Sequence, residues 1–379
     1  MDRTVADCQL APPQTLRTRY ACATEADEAA IRRLLRENPM PGAISLTFER
    51  EPHYFRGANV AGAEDCSIVA RSEGRLVCMG RCTRRSCWVD GRATRVAYLA
   101  ELRLDAAVRG QFAIVRDGYR YFHDMEPDGA DELCFTSIGS DNMRARRLLE
   151  HGARGMPAYT YLSELDTLLI AVPRFPRRPK LRVEAATVDR IPDMLRMLNG
   201  HACGHQLATV WTAQGLQDLE RHGLPLSRFF LILEGDELLA CGALWDQRGF
   251  RQTVIQRYSP LLSPARPWVN LVGSFTKTPR MPRPGRPLAH AFLSPLAFAQ
   301  DVGKMLPAVV ESFFPLAAEF GLEFLTIALP ANDYRIPVLQ QRTSTRKWRT
   351  RLYRVDWPDR PRFEITSSGM PFFPDVALL

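Results

Sequence analysis

The sequence predicts an α/β (α+β) protein of two tandem units, each a mixed, mainly antiparallel central sheet flanked by helices. Three observations predict it. β-prone runs meet across short Gly-containing turns, as in hairpins; amphipathic helical stretches separate the later strands; and the order of elements recurs in the second half of the chain. At 379 residues the chain is longer than one compact α/β unit needs, and its 46% hydrophobic and 24% charged residues can fill a core in each of two.

The first unit is expected over residues 1–172. Residues 19–22 read as a strand, and Thr24 is placed to cap a helix over 25–37 with Ala29, Ile31, Leu34 and Leu35 on its apolar side. Asn38-Pro-Met-Pro-Gly42 stops that helix. Residues 66–71 and 76–84 form a hairpin around Ser72-Glu-Gly-Arg75, and a turn at Asp90-Gly91 leads into a strand over 96–104. Ile114, Val115, Tyr119 and Phe122 recur at helical spacing and predict a helix over 112–125. A strand at 133–138, a helix at 142–150, and strands at 159–162 and 167–172 complete the unit.

Residues 173–180 are rich in Pro and Arg, the composition of an extended, semi-rigid linker. The second unit, 181–379, repeats the order: a strand at 181–186, a helix at 188–198, and a hairpin of 229–234 with 237–246. A central strand at 288–298, a helix at 305–320, a strand at 324–329 and a last strand at 348–355 precede a C-terminal extension.

Composition narrows the function. No apolar run approaches the roughly 20 residues of a membrane span, and residues 1–20 lack the apolar run of a signal peptide, so a cytoplasmic protein without a membrane partner is expected. Nine scattered cysteines read as free thiols. Cys78, Cys82 and Cys87, and the run His201-Ala-Cys203-Gly-His205, lack the further ligands of a metal shell, so no metal is expected. The net charge of +8 gathers in the Pro/Arg runs 173–180 and 279–287 rather than in one patch, and nucleic acid is not the expected partner. Hydrolase elbow, nucleotide-triphosphatase loop and zinc-protease motifs are all missing from the sequence.

The run Glu101-Leu-Arg-Leu-Asp-Ala-Ala-Val-Arg109-Gly110-Gln-Phe-Ala-Ile114 places a strand, a tight basic loop and a helix start in succession. Free N–H groups at a helix start bind anions. Downstream, Ser137-Ile-Gly-Ser-Asp-Asn142-Met-Arg-Ala145 leads from a strand into a helix that ends near Gly152. In this order the two runs resemble the signatures of the GNAT (GCN5-related N-acetyltransferase) superfamily, and the second unit resembles a degenerate repeat of the same fold. The resemblance implies acetyl-CoA as cosubstrate. It implies that the backbone of Leu102 and Leu104 pairs with the pantetheine arm and that Arg109, Gly110, Gln111, Phe112, Ala113 and Ile114 hold the pyrophosphate. Asn142 and its helix would flank the arm, although Asn142 also fits a plain helix cap. Phe112 and Ile114 depart from the family's small residues.

Acyl transfer to an amine calls for a base, donors to the thioester oxyanion and an acid for the thiolate. Glu101 is the candidate base, sharing a strand face with Arg103 while Leu102 and Leu104 share the other; a carboxylate beside an arginine also fits a simple ion pair. The family's acid is a tyrosine where this chain has Leu149, so Tyr159, or Tyr161, on the next strand is the candidate acid, with solvent as the alternative. In the second unit Pro295 stands near the end of the central strand, and Pro337 is expected to break a helix after Asn332-Asp-Tyr334, so this unit is expected to shape the site. The expected activity is transfer of an acetyl group from acetyl-CoA to an amine of a small molecule or peptide. A non-catalytic acyl-CoA-binding or scaffolding protein is the alternative, and the sequence leaves acceptor and oligomeric state open.

Overall fold

The structure, a computed structural model, describes residues 18–40, 44–125, 133–260, 262–272, 281–299, 302–366 and 369–379. Of the stretches discussed above, residues 1–17, 41–42 and 279–280 lie outside the described residues. The strands of the first half are β1 (Thr18–Cys22), β2 (Ile44–Glu49), β3 (Glu64–Ser72), β4 (Arg75–Val89), β5 (Arg92–Leu104), β6 (Leu133–Gly139) and β7 (Ala158–Ala171). Those of the second are β8 (Arg182–Ala185), β9 (Ala208–Thr209), β10 (Phe229–Glu234), β11 (Glu237–Trp245), β12 (Gln252–Tyr258), β13 (His290–Phe298), β14 (Phe324–Pro330) and β15 (Thr345–Asp356). The helices are α1 (Glu28–Glu37), α2 (Phe112–Asp124), α3 (Met143–Glu150), α4 (Ile191–Ala202), α5 (Ala213–Asp218), α6 (Leu262–Val272), α7 (Leu306–Ser312), α8 (Phe314–Glu319) and α9 (Arg335–Arg342).

One sheet runs through both halves in the order β1-β3-β4-β5-β6-β15-β7-β14-β13-β11-β10-β8, with β9 beside β4; β2 and β12 pair separately. β5 with β6 and β13 with β14 are parallel, and the remaining neighbours are antiparallel. Each half is therefore a meander closed by one parallel pair. The final strands cross over: β15 lies between β6 and β7, and β7 lies between β15 and β14. Each half thus receives a strand from the other, which a sequence repeat alone does not reveal.

Packing puts α1 and α2 on opposite faces of the first half. Ile31, Leu34 and Leu35 of α1 meet Val69, Leu76 and Met79, and burial of each large aliphatic side chain is worth about 1.5–3 kcal/mol. Ala29 is exposed and Ala30 packs in its place. On the other face α2 sets Phe122 against Ala97 and Leu99, and Val115 against Ile138 and Leu149.

Several local expectations need correction. Residues expected as two strands, 159–162 and 167–172, form the single strand β7. The helix expected over 305–320 is two helices meeting at Phe313, because the ring of Pro315 cannot follow a continuing turn. Pro337 does not break a helix; it is the third residue of α9, where its missing N–H would have had no intrahelical partner.

Candidate functional site

β5 and β6 pair over four residues, from Val96↔Leu133 to Leu99↔Thr136. Beyond that point β6 pairs only with β15, as far as Gly139↔Thr350, while β5 continues along β4 to Leu104↔Cys78. The two strands therefore fork. Thr136 closes the crotch by donating its buried hydroxyl to the Leu99 carbonyl at 2.7 Å. Past it, the outer edge of β5 has no strand beside it among the described residues, the arrangement to which an extended chain can add.

At the fork β5 also bulges. Arg81 pairs with Ala100 and Met79 with Arg103, so Gly80 alone faces both Glu101 and Leu102, and Glu101 adopts φ +54°. A bulge shifts the period-2 alternation by one residue. Ala97, Leu99, Leu102 and Leu104 consequently pack on the α2 side, whereas Glu101 is turned to the α1 side against Arg50 and Tyr54. Uninterrupted alternation would have put this carboxylate with Leu99 in the apolar layer under α2.

The fork opens into a cavity of about 950 Å³. Its walls include Leu102, Val115, Tyr119 and Asn142 from the first half, and Arg251, His290 and Trp348 from the second. Glu101 accepts from Arg50 Nε at 2.8 Å and from the Tyr54 hydroxyl at 3.2 Å, with Arg81 Nη1 at 3.6 Å. Burial opposes its charge, yet Arg50 and then Arg81 outweigh burial and hold the carboxyl down at about 2. Arg81 Nε in turn forks onto Asp65 at 2.8 and 3.1 Å. His290 bonds through Nδ1 to the Thr326 hydroxyl at 2.8 Å, and burial, reinforced by Arg251 and Arg248 against the opposing pull of Asp246, pushes it down to about 4.

The loop after β5 is a helix start without a cap. Gly110 has φ +96°, a conformation that favours glycine, and Gln111 at the N-cap makes no side-chain cap bond. The Phe112 N–H is spent on the Gly110 carbonyl at 3.0 Å, while among the described residues the N–H groups of Gly110 and Ala113 have no protein partner. Arg109 is exposed and reaches Asn38 Oδ1 at 2.9 Å. Ile114 is buried beneath α2, and its carbonyl accepts from Tyr20 at 3.0 Å. Asn142 caps α3 by accepting from the Ala145 N–H at 3.2 Å, and it also lines the cavity.

Not every expected residue reaches the cavity. Leu104 packs in the layers beneath α2. Tyr159 sits behind the wall, its hydroxyl bonded to that of Tyr119, which does line the cavity; burial raises Tyr159 well above the ordinary tyrosine value. Tyr161 is half exposed on the surface. Conversely, Arg50, Tyr54, Arg251 and His290 converge on the site from distant parts of the chain with no local signal. Arg81 did carry one, a charge inside the apolar run Leu76-Val-Cys-Met-Gly-Arg81-Cys82.

The second half repeats the fork and fills it. β13 and β14 pair from His290↔Phe324 to Phe292↔Thr326, and Ser294 with Pro295 bulges opposite Ala243. Here the Ser294 hydroxyl donates to Asp375 at 2.5 Å, Phe373 and Val376 move in, and about 70 Å³ of space is left. Among the described residues no three metal-ligating side chains converge.

No family model matches the sequence. No curated protein matches it either. Solved structures do. The Saccharomyces cerevisiae N-myristoyltransferase with bound myristoyl-CoA is similar over 94% of this chain and 86% of its own, at 10% identity and a TM-score of 0.59. A GCN5-related N-acetyltransferase from Sphaerobacter thermophilus is similar over 92% of this chain and 98% of its own, at 13% identity and a TM-score of 0.53. At such identities the likeness speaks for architecture, and in architecture the chain has the GNAT fold.

Proposed function

We propose that the protein transfers an acyl group, acetyl in the first instance, from an acyl-CoA to an amine. The observation that carries this reading is the fork itself: an unpaired β5 edge that runs to the uncapped start of α2 and opens on the cavity. The edge suits the amides of a pantetheine arm, and the N–H groups of Gly110 and Ala113 suit a pyrophosphate. Myristoyl-CoA bound to the yeast protein of the same fold supports a CoA-type cosubstrate.

Glu101, ionised and fully partnered, is a weak proton acceptor as it stands, so its part is to hold Arg50 and Arg81 in place beside the acceptor. The surplus of arginines around it lowers the pKa of an entering ammonium and so supplies the neutral amine. Tyr119, which lines the cavity and is hydrogen-bonded to Tyr159 behind it, is assigned the proton transfer: it gives its proton to the departing thiolate and takes back the one the nitrogen loses as the amide forms.

Calorimetry with acetyl-CoA, followed by thiol release across an amine panel, tests the reading. Micromolar binding and release with some amine are expected. No binding at millimolar acetyl-CoA would overturn the proposal, and binding without release from any amine would assign the protein to acyl-CoA binding or scaffolding. Because the cavity exceeds what an acetyl group fills, a donor series up to myristoyl-CoA measures the acyl length it prefers.

A further inference from the structure

Among the guanidinium groups that line the cavity are those of Arg50, Arg81, Arg85, Arg103 and Arg251, and its lining carboxylates include Asp65 and Glu101. Both of these carboxylates are already engaged by Arg50 and Arg81. Among the described residues Arg103 and Arg251 have no carboxylate at ion-pairing distance. Arg103 donates to the Leu102 carbonyl at 3.0 Å and Arg251 to the Ala377 carbonyl at 3.4 Å. Burial lowers the pKa of each, that of Arg251 to about 10. Both interact electrostatically with Glu101, Tyr98 and Arg50, so they face one region of the cavity.

Buried cations are ordinarily paired, since desolvation without an opposite charge is costly. Two unpaired guanidinium groups turned into a cavity are a cost to the fold that an anionic ligand removes. Arginine pairs of this kind also match the planar, bidentate geometry of carboxylate and phosphate. On the acyl-transfer reading the phosphates of a CoA are assigned elsewhere, to the exposed turn whose Gly110 and Ala113 N–H groups have no protein partner among the described residues.

We propose that the acceptor carries an anionic group, carboxylate or phosphate, in addition to its amine, and that Arg103 and Arg251 bind it. The proposal rests on the acyl-transfer reading for the word acceptor, but the anion site stands or falls separately. Calorimetry compares β-alanine with propylamine and O-phosphoethanolamine with ethanolamine, on the ligand-free protein and on the protein saturated with CoA. At least one anionic member is expected to bind about tenfold or more tightly than its neutral partner, and the better of the two pairs identifies carboxylate or phosphate. Arg103→Gln and Arg251→Gln are expected to erase that preference, leave CoA affinity unchanged, and leave Tm unchanged or raised, whereas a merely structural arginine would lower it. Equal binding within both pairs by the unaltered protein overturns the proposal without recourse to variants. Loss of CoA affinity in Arg251→Gln also overturns it, by assigning the arginines to the donor. An anion preference that persists in a protein unable to bind CoA would retain the site and refute the acyl-transfer reading.

Discussion

Glu101 combines a left-handed backbone with two arginine partners, and each feature is costly without the other. The conformation is unfavourable by about 1–2 kcal/mol for a residue with a side chain, while the carboxylate offsets the charge of Arg50 and shares Arg81 with Asp65. Its pKa falls from the ordinary 4.5 to about 2 on folding. A depressed carboxyl stabilises the fold fully above its unfolded value and loses that contribution as pH falls toward the folded one. Glu101→Gln should therefore destabilise the protein at neutral pH by about 3 kcal/mol, the cost of breaking a buried pair. The Tm gap between the two proteins should close between pH 4.5 and 2. A gap that stays constant across that window in a thermal-melt series would contradict the ion-pair assignment.

At the scale of elements, the bulge and the fork act together, one setting which side chains face the cavity and the other exposing the backbone edge. The loop after β5 finishes the arrangement. Gly110 has φ +96° and open space where a Cβ would stand, so a substitution there meets a backbone penalty and no steric clash. Gly110→Ala is expected to cost about 1–2 kcal/mol or to shift the loop. Either outcome should weaken acetyl-CoA binding in calorimetry by tenfold or more. Unchanged affinity would remove the loop from the donor site.

At the scale of the whole molecule, the crossed strands make the halves interdependent. Residues 1–172 alone would leave β6 without its neighbour β15, and β7 without either of its neighbours, β15 and β14. The expectation is that 1–172 and 181–379, expressed separately, give no folded monomer, and that co-expression restores one complex visible by size-exclusion chromatography and circular dichroism. A cooperative melt from either half alone would show that the exchanged strand is dispensable.

Local order was legible in the sequence. Periodicity located α1 and α2, turn chemistry located the β3–β4 and β10–β11 hairpins, and the two motif runs marked β5, the Gly110 turn and Asn142. β2 and β12 went unread because a two-stranded cover depends on a partner some two hundred residues away. For the same reason Arg50, Arg251 and His290 were invisible: each is ordinary in its own segment and becomes part of a site only where segments meet. What the sequence by itself determined is the alternation of strands and helices and the repeat of that order, because propensity and period act over a few residues. Tertiary structure alone decided the side to which Glu101 points, the exchange of β7 and β15, and which of two forks stayed open. Those outcomes turn on bulge register and long-range strand pairing, whose energies exist only once distant segments are in contact.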